Sequence, residues 1–322
     1  MSETGTTSEP ITVELLEEYC TRFNNWGKWG PDDQKGTLNY ITPAKVRQAG
    51  ALVQSGKVIS LQLPIDGSGP QTGTFNRYNA IHHMIATGTD HLADPGKFPL
   101  GFGYSDDSIV MILQGGTQWD GLSHIFRNGK MYNGYDANEV TSLGAARNGV
   151  ESMPEVVSRG VLLDLPKVTG KPYLETGFAI EPSLLDEACD AHGVTVEEGD
   201  ILLVRTGDMA RCVAAGDWTG YPGGDSPGLS LRCSPWIAEH RIAALATDTW
   251  GVEVRPNQIP DSLQPMHLVM VVNMGLLVGE IWYLDSLAAD CAEDGRYEFL
   301  LAAPPLVVRG AVGAPLNPQA IK

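Results

Sequence analysis

Gln114-Gly115-Gly116-Thr117-Gln118-Trp119-Asp120-Gly121-Leu122-Ser123-His124 is the stretch on which the reading of this chain turns. It follows the apolar run Ile109–Leu113, which reads as a short buried strand. If the chain stays extended past that run, Gln114, Gln118 and Asp120 share one face, because strand side chains alternate with period two. Gly116 on the same face leaves room for a ligand or ion, and a turn beyond Asp120 brings His124 back toward it. An oxygen-rich face with a nearby imidazole suits a metal ion and an acid/base group. Two Gln and an Asp at a strand end also make a hydrogen-bonded structural knot, and on spacing alone that second reading is the better one.

A second segment adds weight. Pro265-Met266-His267 opens a helix predicted over Pro265–Met274, with Gly275 as its stop. The positive end of the helix dipole disfavours imidazolium, so His267 in the first turn is expected neutral, as a metal ligand must be. Leu276, Leu277 and Val278 then read as a returning strand that carries Glu280 back toward the start of the helix. A carboxylate in the apolar stretch Leu276–Trp282 is costly to bury unless paired or metal-bound. A salt bridge from Glu280 to Arg159 or Arg205 is an equal alternative at this point.

Further out, Thr42-Pro43 reads as an N-cap and first helical residue. Val46, Ala49, Leu52 and Val53 continue at helical spacing up to Gly56. Val58–Leu63, Gly160–Leu165, Ile201–Arg205 and Ile242–Thr247 read as strands. Pro182–Ala191, Pro235–Arg241 behind Ser234, and Asp285–Glu293 read as helices, the first and last stopped by Gly193 and Gly295. Strands separated by helices predict an α/β protein. Asp66–Phe75 and Asp90–Asp106, rich in Gly, Pro and Asp, read as long loops of the kind that carry function. Without an internal repeat or low-complexity linker, a single domain over residues 25–322 is expected. Residues 1–24 form a tail and lead-in, with disorder expected only at the polar tip Met1–Pro10.

Composition narrows the function. Asp and Glu number 39 against 22 Lys and Arg, a net charge of −17. Such a surface repels nucleic acid and anionic membranes, so neither is an expected partner. The five cysteines form no CxxC pair and are odd in number, which argues against a disulfide framework or zinc knuckle. No leader pattern stands at the N-terminus, and no apolar run reaches the roughly 20 residues of a membrane span. A cytoplasmic location is expected. A GxSxG elbow, a GxxxxGK[ST] phosphate loop, an HExxH helix and a three-glycine dinucleotide fingerprint are all missing.

Taken together, the two segments resemble the cyclase family, which includes bacterial kynurenine formamidases, isatin hydrolases and trans-dienelactone hydrolases. The family signature is HxGTHxDxPxH, followed far downstream by a His and, about a dozen residues later, a Glu. Here the signature is Gln114–His124 and the downstream pair is His267 and Glu280. The resemblance runs nearly end to end. It includes Asn25-Trp26-Gly27-Lys28-Trp29-Gly30-Pro31-Asp32-Asp33, Gly36-Thr37-Leu38-Asn39, Arg159–Asp164, Gly199–Gly207 and Gly313–Pro318, and it looks like a longer-chain branch with GTQWD in place of GTHxD.

The resemblance implies a swivelling β/β/α architecture, with a mixed sheet or barrel-like core flanked by helices. It implies a metal-dependent hydrolase of a small amide or lactone: an aryl formamide, a cyclic imide or amide, or a lactone. Asp120, His267 and Glu280 would hold a metal, and His124 would serve as general acid/base. The chain departs from the signature at Gln114, Gln118 and Leu122. Neutral amides are weaker donors than imidazoles, so one divalent ion, Mn²⁺ or Zn²⁺, is expected, with Gln118 and Gln114 near it. A homodimer or homotetramer is expected, as is a small-molecule substrate.

His82 and His83 are candidates to replace a missing ligand or touch substrate, and Trp26, Trp29, Trp119 and Tyr132 to line an aromatic pocket, although core packing is the commoner role for such aromatics. Asp248 and Glu253 are candidate supporting carboxylates, and His91, His192 and His240 belong to no constellation. The rival readings are a non-hydrolytic cyclase or dehydratase working on a polyketide-like ring, and a binding protein that has lost catalysis.

Overall fold

Runs of consecutive apolar residues without alternation demand burial on both faces, which is the habit of parallel strands. Ile201-Leu202-Leu203-Val204 is such a run, and all four residues are fully buried. In the computed structural model, which describes residues 10–322, these runs form the middle of a nine-stranded mixed sheet flanked by helices. Eleven strands of this structure are numbered in chain order: β1 (Val58–Ser60), β2 (Ile81–Ala86), β3 (Asp106–Val110), β4 (Gln118–Asp120), β5 (Val157–Asp164), β6 (Ile201–Arg205), β7 (Ala244–Thr247), β8 (Leu277–Glu280), β9 (Glu298–Ala302), β10 (Gly313–Pro315) and β11 (Gln319–Ile321). The sheet order is β1-β11-β9-β5-β6-β7-β8-β4-β10. Strands β5 to β8 run parallel. Strand β4 lies antiparallel between β8 and β10, and the other flank is antiparallel as well.

The punctuation residues act where the sequence placed them. Thr42 accepts a hydrogen bond from the Lys45 amide at 3.1 Å and caps the helix Pro43–Gly50. Gly193 and Gly295 adopt left-handed backbone and end the helices Pro182–His192 and Asp285–Asp294. Other expectations need correction. The helix opened by Pro43 stops at Gly50, so Leu52 and Val53 lie in the turn behind it. The helix expected over Pro235–Arg241 with Ser234 as its cap begins two residues earlier, at Cys233, and makes no side-chain cap. Pro265–Met274 begins as one α-turn, Pro265–His267, then widens into a π-helix, Leu268–Met274, which ends at a left-handed Gly275.

The largest correction concerns Ile109–Leu113. It is not a buried strand. Its first half belongs to β3, which pairs with β2 as an exposed hairpin outside the main sheet. Ile109 and Val110 are about half exposed, at 49% and 51%. An apolar run carries no information about which partner it finds, and here the partner is the local strand Ile81–Ala86. The chain then turns through Gln114-Gly115-Gly116 and joins the main sheet only at Gln118.

In the expected lead-in, Val13–Arg22 is a helix with Leu16, Tyr19 and Cys20 buried in the main core. The disordered tip expected over Met1–Pro10 lies, apart from Pro10, outside the described residues. Among the described residues no helix is long and apolar enough to cross a membrane.

Strand pairing at the site depends on Gly279. It stands opposite Trp119 in the β8–β4 register. A Cβ there would lie 2.6 Å from the Ala246 Cβ and 2.7 Å from both the Trp119 ring and the Trp282 Nε1. Gly279→Ala is therefore expected to destabilise the protein by about 1–3 kcal/mol through overpacking, read as a lowered midpoint in denaturant unfolding. An unchanged midpoint would mean that the Trp119–Trp282 packing has slack that these distances deny.

Candidate metal centre

The pairing of β4 with β8 builds the site. Glu280 stands opposite Gln118, and Val278 opposite Asp120. Cross-strand partners share a face, and so do residues two apart, so Gln118, Asp120 and Glu280 project together to one side. Trp119 projects to the other side. It is fully buried against Trp282, and its indole donates to the Ala303 carbonyl at 2.8 Å. The third component comes from the helical turn before the π-helix. Asp120, His267 and Glu280 are all buried, and one ligand atom from each lies within 4.8 Å of the others.

Each member of the cluster is positioned by a specific contact. Glu253 accepts from the His267 Nδ1 at 2.6 Å and from the backbone amides of Met266 and His267 at 2.9 and 3.0 Å. That fixes the ring and turns Nε2 toward the carboxylates, 3.4 Å from the Glu280 Oε1, and Nε2 has no hydrogen-bond partner. Gln118 donates from Nε2 to the Glu280 Oε2 at 2.7 Å and, more weakly, to the Asp120 Oδ1 at 3.4 Å. Its Oε1 has no partner. His124 follows a tight turn closed by its own amide on the Gly121 carbonyl. Its Nε2 lies 3.8 Å from the Asp120 Oδ1, and the side chain is partly open to solvent.

Electrostatics follow from this crowding. Burial pushes the Asp120 carboxyl up to about 6, and the Glu280 charge adds to that effect. The charges of His124, His267 and Arg77 oppose it. Burial would depress His267, but its hydrogen bond to Glu253, the nearness of Glu280 and the charges of both carboxylates outweigh that and raise it to about 10. The expectation of a ring kept neutral by a helix dipole is thus corrected for the metal-free protein. The helical turn is three residues long, and two buried carboxylates dominate it.

Glu280 does not pair with either expected arginine. Arg159 binds Asp200 and Glu298, and Arg205 binds Asp164 and Asp285. Two buried carboxylates and a buried imidazole with an unpartnered nitrogen form a donor set that fits a divalent cation. Glu253 behind His267 stands where an outer carboxylate would orient a histidine ligand.

The remaining sequence candidates fall elsewhere or arrive differently. Gln114 reaches the site by the turn rather than by strand alternation. Its Nε2 occupies the space above Gly313, the residue that pairs with Asp120, and it has no partner. Tyr132 is fully buried and donates to the Asp33 Oδ2 at 2.8 Å. Trp26 donates to the Val272 carbonyl at 2.7 Å, and Trp29 packs edge-on to Tyr40. Trp119, Tyr132 and Trp26 therefore take packing roles, because each polar handle finds a protein partner.

His82 and His83 lie on the exposed hairpin, where His82 meets Asp107 at 2.8 Å. Neither joins the cluster. Of the two supporting carboxylates, Glu253 takes that position, whereas Asp248 binds the amides of Thr206 and Gly207. Gln264, which no motif marked, borders the site. A Cβ on Gly251, the residue after Trp250, would lie 2.6 Å from the Gln264 Nε2 and 3.9 Å from the Glu280 Oε1.

A family described as putative cyclase matches residues 36–254. A crystal structure described as that of a novel cyclase is 40% identical, with a TM-score of 0.86, and the match covers 94% of this chain and 99% of that one. Isatin hydrolase A from Labrenzia aggregata, bound to benzyl benzoate, is 20% identical at a TM-score of 0.59, covering 85% of this chain and 98% of its own. Isatin hydrolase A from Ralstonia solanacearum is 18% identical at 0.61, covering 87% and 97%. No curated protein matches the chain.

Because the His267 ring holds its proton up to about pH 10 without a metal, an incoming ion must displace that proton. Affinity for Zn²⁺ or Mn²⁺ is expected to climb as pH rises from about 6 to about 9, with proton release. Isothermal titration in buffers of different ionisation enthalpy measures both. Glu253→Gln is expected to weaken binding by about 10–100-fold. Affinity independent of pH would contradict the assignment of His267 as a ligand.

Proposed function

This chain belongs to the cyclase family, and on that footing we propose that it is a metal-dependent hydrolase of small amides or lactones. The candidate substrates are aryl formamides, cyclic imides or amides, and lactones. The observation that carries the reading is the buried convergence of Asp120, His267 and Glu280, with His124 beside it and open to solvent.

In this reading Asp120, His267 and Glu280 hold one divalent ion, Mn²⁺ or Zn²⁺. Such an ion supplies Lewis acidity, which makes water more acidic and polarises a carbonyl. The residues do the rest. Glu253 keeps the His267 proton on Nδ1, so Nε2 stays available. His124, 3.8 Å from Asp120 and reachable from solvent, takes a proton from the attacking water at Nε2 and gives it to the departing nitrogen or oxygen. Asp120, with its Oδ1 3.8 Å from that nitrogen, balances the imidazole's charge when it is protonated. Gln118 holds Glu280 and Asp120 at a fixed separation through its amide hydrogens.

Removal of the ion by a chelator is expected to abolish hydrolysis in a screen of aryl formamides, lactones and cyclic imides, and Mn²⁺ or Zn²⁺ to restore it. His124→Ala is expected to keep the metal and lose about 10²–10⁴-fold in rate. His267→Ala is expected to lose the metal itself, and Gln114→Ala to affect it far less. Full turnover after chelation would overturn the hydrolase reading and favour the metal-free cyclase alternative.

A further inference from the structure

Beside the buried cluster lies an arginine with unusual company. Arg77 sits with its guanidinium carbon 5.1 Å from the centre of the Trp250 ring. Phe75 stacks parallel to the same indole, 5.9 Å away with an interplanar angle of 7°. The loop that presents both residues is fixed. Phe75 and Asn76 adopt left-handed backbone, with φ of 54° and 60°, a conformation that costs energy unless the surroundings impose it. Thr74 donates to the Pro222 carbonyl at 2.9 Å, and Asn79 bonds Gln71 through both its oxygen and its nitrogen.

Arg77 is also underused by the protein. A guanidinium carries five N–H donors, yet its hydrogen bonding among the described residues is one long contact, 3.4 Å, to the Gln114 carbonyl. In a chain with 39 acidic residues, none of those described ion-pairs with it. Its charge nonetheless reaches Asp120. Trp250 is buried with an unpartnered Nε1, and its neighbour Gly251 abuts the Glu280 carboxylate.

We infer that Arg77, with Phe75 and Trp250 beside it, is a specificity-determining element that selects substrates bearing a carboxylate separate from the bond being cleaved, next to an aromatic ring. The inference rests on the hydrolase reading of the same site. The chemistry is direct: a planar fork recognises a planar carboxylate with paired hydrogen bonds, and the exposed ring of Phe75, backed by the buried Trp250 indole, gives a flat surface for a ring. Lysine would serve less well, because its single ammonium lacks the fork and stacks less readily on an indole.

The test uses binding, so it does not depend on turnover. Benzoate and its neutral counterpart benzamide are titrated into metal-depleted and Zn²⁺-loaded protein by calorimetry. The wild type is expected to prefer benzoate in both states, by about tenfold or more. Arg77→Gln is expected to lose that preference in the metal-depleted protein while binding Zn²⁺ normally, and Arg77→Lys to regain only part of it. A preference for benzoate that appears only with Zn²⁺, or that survives Arg77→Gln in metal-depleted protein, would place the anion on the metal or elsewhere and overturn the inference. Absence of any preference in the wild type would overturn it equally. The hydrolase reading fails separately, on insensitivity of turnover to chelation.

Discussion

The antiparallel register of β4 on β8 is the constraint from which the rest follows. It aligns Glu280 with Gln118 and Asp120 with Val278, and so puts two carboxylates side by side on a dry face. Two anions there repel each other, and each forfeits hydration worth several kcal/mol. The structure meets that cost with short-range donors: the Gln118 amide between them, and His267 alongside. His267 is itself held by a third buried carboxylate, Glu253. The counter-charge nearest the carboxylates is thus an imidazole, the side chain that trades a proton for a metal ion most readily near neutral pH. Gly279 permits the register by letting Trp119 and Trp282 pack on the opposite face.

Much of the fold could be read from the sequence. Strand β6 was predicted residue for residue, because four consecutive apolar side chains between turn residues have few other uses. Helix ends at Gly193 and Gly295 were legible because left-handed backbone selects glycine. The hairpin of β2 and β3 was not legible. Apolar content predicts burial only when a partner surface exists, and Ile81, Met84, Ile109 and Val110 lie on strands that pair mainly with each other. The π-helix was hidden too, since a widened turn leaves no mark in a purely apolar run such as Leu268–Val272.

The same distinction applies to the site. Asp120, His267 and Glu280 are placed by sheet register and by one helical turn; spacing alone favoured a hydrogen-bonded knot, and it was the resemblance to the family signature that singled them out. Trp119 shares their segment, but strand alternation alone sends it to the opposite face, into the core. Gln114 shows the reverse case. The route proposed for it, strand alternation, is wrong because the glycine pair bends the chain, yet Gly313 leaves room for its amide beside the Asp120 face. Arg77 and Trp250 had no signal. They belong to loops whose meeting depends on tertiary structure, and one arginine in a Gly/Pro-rich region has no periodicity to betray it.

Gln118, which stands where the family signature that the sequence resembles has a histidine, gains a physical meaning from this geometry. An ionised carboxylate only accepts hydrogen bonds, so the amide end of Gln118 that faces Glu280 and Asp120 must be its NH₂. In that orientation Gln118 offers the carboxylates partial positive charge instead of offering a cation a lone pair. A histidine at the same position that ligated a metal would do the opposite, and its ion would neutralise Asp120 from that side. Gln118 therefore supplies, in a neutral and permanently bound form, part of the compensation that a second cation would bring. On the proposed reading, one ion held by Asp120, His267 and Glu280 would complete that compensation, so a glutamine at position 118 fits a single-metal centre.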